Sequence, residues 1–337
     1  MKILSISIAA YNMEKYIEQC LNSFADGRFN DTLEVLIVND GSTDGTVKIA
    51  EQYVQKYPDI FRIINKENGG HGSTINRGIK EAIGKYYKPV DGDDWLDTEN
   101  LVSVIDRLKE IDVDLAVTDF FYYYSKTKQI KKDTRNFYNN NTAHGFDLSN
   151  CILLFQQIIY KTSILKENNL YFSEKVFYED TEFCLYPVEF VKTITYIPIG
   201  LYYHRLDREG QSISIESKIK YINDIRQIAV NIFNFYKRKK NKNNKKTFYK
   251  KRILDFMDFY YYLTISDLWI HSENRNIREN QLFYKRLFFI SPYLFLSFMI
   301  KDKLRLLMLF TWFSCDKQLL LIQKYVQVIK AKISKKR

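Results

Sequence analysis

The stretch KYYKPVDGDDWLD, residues 85–97, decides the fold. Tyr86–Val90 reads as a short apolar strand that runs straight into Asp91-Gly92-Asp93-Asp94-Trp95. Three carboxylates crowded at a strand end repel one another, so a fold tolerates them best where a cation offsets their charge. Hard divalent ions take oxygen ligands, and Mg²⁺ commonly combines one or two carboxylates with substrate phosphates. The same cluster also reads as a helix start, because Asp there favours the helix dipole and Asp97 fits that role.

Upstream of this stretch, strands and helices alternate. Ile3–Ala9, Leu33–Asn39 and Phe61–Asn65 are short apolar runs, and Met13–Ala25, Thr46–Lys56 and Ser73–Ile83 carry helical spacing. GSTDGT, residues 41–46, supplies turn and capping residues for the second helix. Alternation of this kind predicts a mostly parallel sheet with helices on both faces. Ligands of such sheets sit beyond the carboxyl ends of the strands. Polar residues gather at those ends: Tyr11 and Asn12, Asp40 to Ser42, Asn68 to His71, and Asp91 to Asp94. Four such ends point to one shared crevice.

Several classes are excluded. The loop after the first strand, AAYNMEKY, holds no GxGxxG, and no GxxxxGK[ST] occurs, which argues against a dinucleotide-type dehydrogenase and a P-loop NTPase. The chain has 337 residues, 46% hydrophobic and 27% charged, enough for two globular domains. Its four cysteines form no CxxC pair, so neither a zinc site nor a disulfide scaffold is expected. The amino-terminal MKILSISIAA is interrupted by Ser5 and Ser7 and reads as a buried strand rather than a signal peptide.

Farther along, Leu101–Glu110 reads as helix, Leu115–Tyr124 as an aromatic strand and Lys126–Asn141 as a loop. Leu148–Lys161, Ser163–Asn168 and Thr181–Val191 read as helices, and Thr193–Ile199 and Leu201–His204 as strands.

The net charge of +11 hides a division: residues 1–215 carry 24 Lys+Arg against 31 Asp+Glu, and residues 216–337 carry 27 against 9. The run KRKKNKNNKKTFYKKR, residues 237–252, contains no acid. Apolar helical segments follow at Ile253–Ile270, Leu282–Ile300 and Leu304–Ile333. The stretch Leu287–Ile300 falls short of the ~20 apolar residues needed to span a bilayer. Basic side chains beside it fit an interfacial segment on an anionic membrane better than a nucleic-acid surface. A helical subdomain with solvated charges is the plain alternative.

Taken together, ISIAAYNMEKYIEQCLNS, EVLIVNDGSTDGT, NGGHGSTINRGIKEAIGKY and PVDGDDWLD, in that order, resemble the family-two glycosyltransferases of the GT-A fold. The resemblance is strong over residues 1–110 and weaker to about residue 215. It implies an α/β GT-A domain over 1–215 followed by a basic helical domain over 216–337. It further implies Ala9 and Tyr11 against a nucleotide ring, Asp40 hydrogen-bonding that ring, and Ser42 and Gly92 nearby. Asp91 and Asp93 match the family's DxD motif, which holds Mn²⁺ or Mg²⁺ on the donor diphosphate, with Asp94 as helper. Many members carry Arg before the Asn of the third motif; here Ile75 precedes Asn76, which leaves Asn76 as the candidate. In Tyr178-Glu179-Asp180-Thr181 the resemblance makes Asp180 the catalytic base, although the pair also reads as a helix cap. His204 and Arg208 are candidate diphosphate contacts, and His71 reads equally as a turn residue.

The function implied is metal-dependent, inverting transfer of a sugar from a UDP-linked donor to a hydroxyl of a glycan or lipid-linked acceptor at the inner face of the cell membrane. A nucleotidyltransferase would want a Gly-rich phosphate loop after the first strand, and a catalytically silent sugar-nucleotide-binding protein would have no need of Asp180.

Overall fold

Leu4–Ala10 and Leu33–Asn39 are rich in β-branched and aliphatic residues. In the computed structural model of the chain they are parallel strands β1 and β2, almost wholly buried. Residues 2–133, 141–142, 145–146, 152–208, 215–238, 244–271 and 274–300 are described. Phe61–Asn65 (β3) and Tyr86–Asp91 (β4) extend the parallel set. Helices α1 (Ile17–Asn22), α2 (Thr46–Lys56) and α3 (His71–Glu81) make the crossovers. Burying both faces of such strands requires continuous apolar runs rather than alternation. Ile6, Ile8, Val35, Ile37 and Val90 meet that requirement in the core.

Beyond β4 come β5 (Trp95–Leu96) and α4 (Thr98–Glu110), the latter capped by the Asp97 carboxylate, which accepts the Asn100 N–H at 2.9 Å. Next are β6 (Leu115–Tyr124), β7 (Gln129–Asp133) and the small pair β8 (Asn141–Thr142) and β9 (Gly145–Phe146). The chain continues through β10 (Ile158–Lys161), α5 (Thr162–Glu167), α6 (Asp180–Leu185) and β11 (Ile194–Leu206). The main sheet runs β3-β2-β1-β4-β10-β6-β11-β5, with β7 on β6. Strand β10 is antiparallel to both neighbours and β11 is parallel to β6, so the carboxyl end of β11 lies on the same sheet edge as those of β1 to β4. This mixed α/β architecture is the GT-A fold.

The expected helix over 148–161 is a correction within the described residues: Ile158–Lys161 is strand β10, wedged between β4 and β6. A short apolar run is ambiguous by pattern, and pairing with β4 and β6 on either side decides it. Thr181–Val191 shortens to α6 because Pro187 opens a 3₁₀ turn. Part of the expected 126–141 loop is β7. The Leu304–Ile333 helix lies outside the described residues.

The chain divides into two compact units, Met1–Ser212 with Asn243–Phe248, and Ile213–Lys242 with Tyr249–Arg337. The second is helical: α7 (Ile215–Lys220), α8 (Ile222–Arg238), α9 (Asn244–His271), α10 (Asn274–Ile290) and α11 (Pro292–Met299). Among the described residues no helix is long and apolar enough to cross a membrane.

Candidate active site

One sheet edge collects the ends of β1, β2, β3, β4 and β11. After β1, Tyr11 is 47% exposed and Ala9 is half-buried. Asn12, at φ +53°, donates its N–H to Ser42 Oγ at 3.1 Å, which ties this loop to the one after β2. Gly92 donates its N–H to the Ala9 carbonyl at 3.0 Å, and a Cβ there would lie 2.7 Å from that oxygen. Only glycine lets the DxD turn approach β1 so closely.

Asp40, 2% exposed at the end of β2, accepts through Oδ1 from Lys66 Nζ at 2.5 Å, Gly69 N at 2.9 Å and Ser73 Oγ at 3.3 Å, and through Oδ2 from Gly70 N at 2.8 Å. It organises the 66–73 turn. Asn76 ties a second pair of segments. Its Nδ2 donates to the Phe172 carbonyl at 2.8 Å and to Glu174 Oε1 at 3.1 Å, and its Oδ1 accepts the Phe172 N–H at 3.0 Å. The side chain fastens α3 to the 172–174 segment.

The three DxD-region aspartates separate by partner. Asp94 is buried and accepts from Tyr202 Oη at 2.7 Å and the Arg205 N–H at 2.7 Å, with His204 Nδ1 at 3.0 Å. It anchors β11 to the turn. Asp91 lies 2.9 Å from His71 Nε2. Burial raises the Asp91 carboxyl, but His71, His204 and Arg208 outweigh it and hold the group below its ordinary value. Asp93 pairs with Arg208 Nε. Burial, with the charges of Asp94 and Asp91, pushes Asp93 up to about 6 against the partial offset of Arg208. Burial works against protonating His204, yet the three aspartates carry it up to about 9.

These groups fit a hard divalent cation such as Mn²⁺ or Mg²⁺. Asp91 and Asp93 are oxygen donors, and the raised Asp93 reports the crowding of negative charge that a cation relieves. Among the described residues no three His, Cys, Asp or Glu converge on one point. Asp91 and Asp93 would therefore hold an ion together with oxygens of a substrate diphosphate.

Asp180 opens α6, where its Oδ1 accepts the Thr181 N–H at 2.8 Å and its Oδ2 has no partner among the described residues. Burial, Glu179 and Asp91 push this carboxyl up to about 6, with His71 opposing. His71 opens α3 and joins Glu179 through Nδ1. Burial lowers the imidazole, but Glu179 and Asp91 prevail and raise it well above its ordinary value.

Sequence reasoning missed Lys66 and Tyr202. Lys66 follows the end of β3, the same kind of position that singled out the other loops. Tyr202 accepts the Asp91 N–H at 3.2 Å while donating to Asp94; its one sequence signal is that a tyrosine in an apolar strand needs a partner for its hydroxyl.

The sequence model of glycosyl transferase family 2 matches residues 5–192. The putative glycosyltransferase EpsH of Bacillus subtilis is 26% identical over 289 residues, 82% of this chain and 80% of that protein. The poly(ribitol-phosphate) beta-N-acetylglucosaminyltransferase TarS of Staphylococcus aureus is 30% identical over 238 residues, 68% of this chain but 40% of TarS. The crystal structure of TarS 1-349 in complex with UDP-GlcNAc superposes with a TM-score of 0.68 at 24% identity, covering 91% of this chain and 86% of that one. The DxD edge, the acidic pair opening α6 and these matches agree: the chain belongs to glycosyl transferase family 2 and is a glycosyltransferase that uses a nucleotide sugar.

Proposed function

We propose that this enzyme is an inverting, metal-dependent glycosyltransferase of cell-surface polysaccharide synthesis. It moves a sugar from a UDP-sugar to a hydroxyl of a glycan or lipid-linked acceptor. UDP is favoured by the similarity to TarS, whose 1-349 fragment is bound to UDP-GlcNAc. Residues 1–215 form the catalytic domain in this reading, and the basic domain 216–337 holds it at the inner face of an anionic membrane.

The observation that carries the reading is Asp180: one oxygen bonded to its own helix, the other with no partner among the described residues, beside the DxD edge. The acceptor oxygen attacks the anomeric carbon from the side opposite the diphosphate. The new C–O bond forms as the sugar–diphosphate bond breaks, the hydroxyl proton passes to Asp180 Oδ2, and the nucleoside diphosphate leaves with the electron pair. Asp91 and Asp93 would hold a divalent ion, which would supply electrostatic stabilisation of the leaving diphosphate. Arg208, paired with Asp93, and His204, against Asp94, stand on the same side as diphosphate contacts. Tyr11, Ala9, Ser42 and Gly92 line the nucleoside side.

Asp180→Asn should lower kcat by about 10²–10⁴-fold, the scale of general-base catalysis, and leave UDP binding intact. α-Linked donors should give β-linked product by NMR. Near-normal turnover in the variant, or retained anomeric configuration in the product, would defeat the reading.

A further inference from the structure

We propose that His71 is a positioning residue, a two-armed tether between Asp91 and Glu179 that fixes Asp180 relative to the diphosphate side of the site. This rests on the reading of Asp180 as the base. One ring nitrogen meets the Glu179 carboxylate and the other lies 2.9 Å from Asp91 Oδ1. Each carboxylate thus meets one nitrogen of the same ring, which spans the gap between β4 and the start of α6. Without it, Asp91, Glu179 and Asp180 are like charges at close quarters. With Glu179 held by the ring, Asp180 is left as the carboxylate with an open oxygen.

The tether is braced on both sides. The Lys175 N–H donates to the Gly69 carbonyl at 2.8 Å, and Asn76 grips Phe172 from the next turns of α3. The Phe155 ring lies 5.5 Å from the imidazole and 5.7 Å from Phe183 of α6, so the ring is wedged toward the helix that carries Asp180. Each brace lies within one compact unit.

The test uses the full chain and the UDP-sugar that the wild type turns over fastest in a panel. His71→Ala should lower kcat about 10- to 100-fold, the scale on which small misplacements of a catalytic group act, with donor KM within about threefold. In a Glu179→Ala background, His71→Ala should add little further loss, because the arm it cuts is already gone. His71→Gln should restore part of kcat, and it also serves if the alanine variant does not fold. Wild-type kcat in His71→Ala overturns the tether, as does a loss confined to donor KM. Asp180→Asn is measured alongside. If it is inactive while His71→Ala is normal, only the tether falls; if it is active, the base reading itself falls.

Discussion

Asp180 and Asp93 are both pushed up to about 6, burial being the largest cause in each, yet their neighbours assign them different work. Asp93 already has a cationic partner in Arg208, whereas Asp180 has an oxygen with no partner among the described residues. A base acts only when ionised, so protonation of Asp180 below about pH 6 should remove activity. Turnover should therefore fall about tenfold per pH unit on the acidic side, with a limb near 6 in a kcat profile. An unperturbed aspartate, at about 3.9, would place that limb some two units lower, and a limb there would remove Asp180 from this role. For Asp93 the expectation concerns binding. Asp93→Ala should abolish the Mn²⁺-dependent part of UDP binding in calorimetry, with little change in the metal-free part. Equal UDP affinity with and without Mn²⁺ in both proteins would remove the metal from the proposal.

The element that sets this geometry is α3, whose first turn lies directly against the segment leading to the acidic pair. A Cβ on Gly72 would collide with the Ser173 carbonyl oxygen and lie 2.9 Å from Glu179 Cγ. The carbonyl belongs to the backbone and cannot swing aside. Gly72→Ala should thus cost about 1–3 kcal/mol, as overpacking does, and lower kcat more than donor KM by displacing Glu179. An unchanged melting temperature and kcat would mean that the contact is slack. The existence of this crossover was legible in the sequence, because Leu33–Asn39 and Tyr86–Val90 are apolar runs that end in aspartate and α3 follows a glycine-rich turn. The placement of Asp180 at the start of α6 was legible in the same way. The loops that Asp40 and Asn76 tie down were not. Residue type and position say which groups gather at a sheet edge, but not that Asp40 bonds the 69–70 turn and Asn76 the 172–174 segment. Strand β10 was hidden for a related reason: Ile158, Ile159 and Tyr160 suit a strand or a buried helix, and the vacancy between β4 and β6 lay elsewhere in the chain.

At the scale of the whole chain, charge and apolar surface coincide in the carboxyl-terminal part. Helices α10 and α11 fold back on each other, since Tyr284 stacks on Phe298 at 6.2 Å and Phe288 meets Phe295 at 5.9 Å across the break at Ser291. The turn of this hairpin exposes Phe289 at 76% and Tyr293 at 64%, with Leu296 and Ile300 exposed along α11. Lys285 and Arg286 are exposed beside them, and Lys250 Nζ sits 4.5 Å from the centre of the Tyr293 ring. Residues 216–337 carry 27 basic against 9 acidic side chains. A Lys or Arg near anionic lipid contributes about 1 kcal/mol, and salt screens that attraction over a Debye length of about 10 Å at 0.1 M. The apolar contribution, about 1.5–3 kcal/mol for a fully buried large side chain, is not screened. Flotation with phosphatidylglycerol-containing vesicles should consequently show binding that weakens between 50 and 500 mM salt, on the order of the screening just given, without vanishing. Phe289→Glu with Tyr293→Glu should remove the salt-resistant fraction and leave UDP-sugar hydrolysis in solution unchanged. Failure of the full chain to float with these vesicles at low salt would leave the basic helices as a solvated subdomain and take the membrane out of the proposed function.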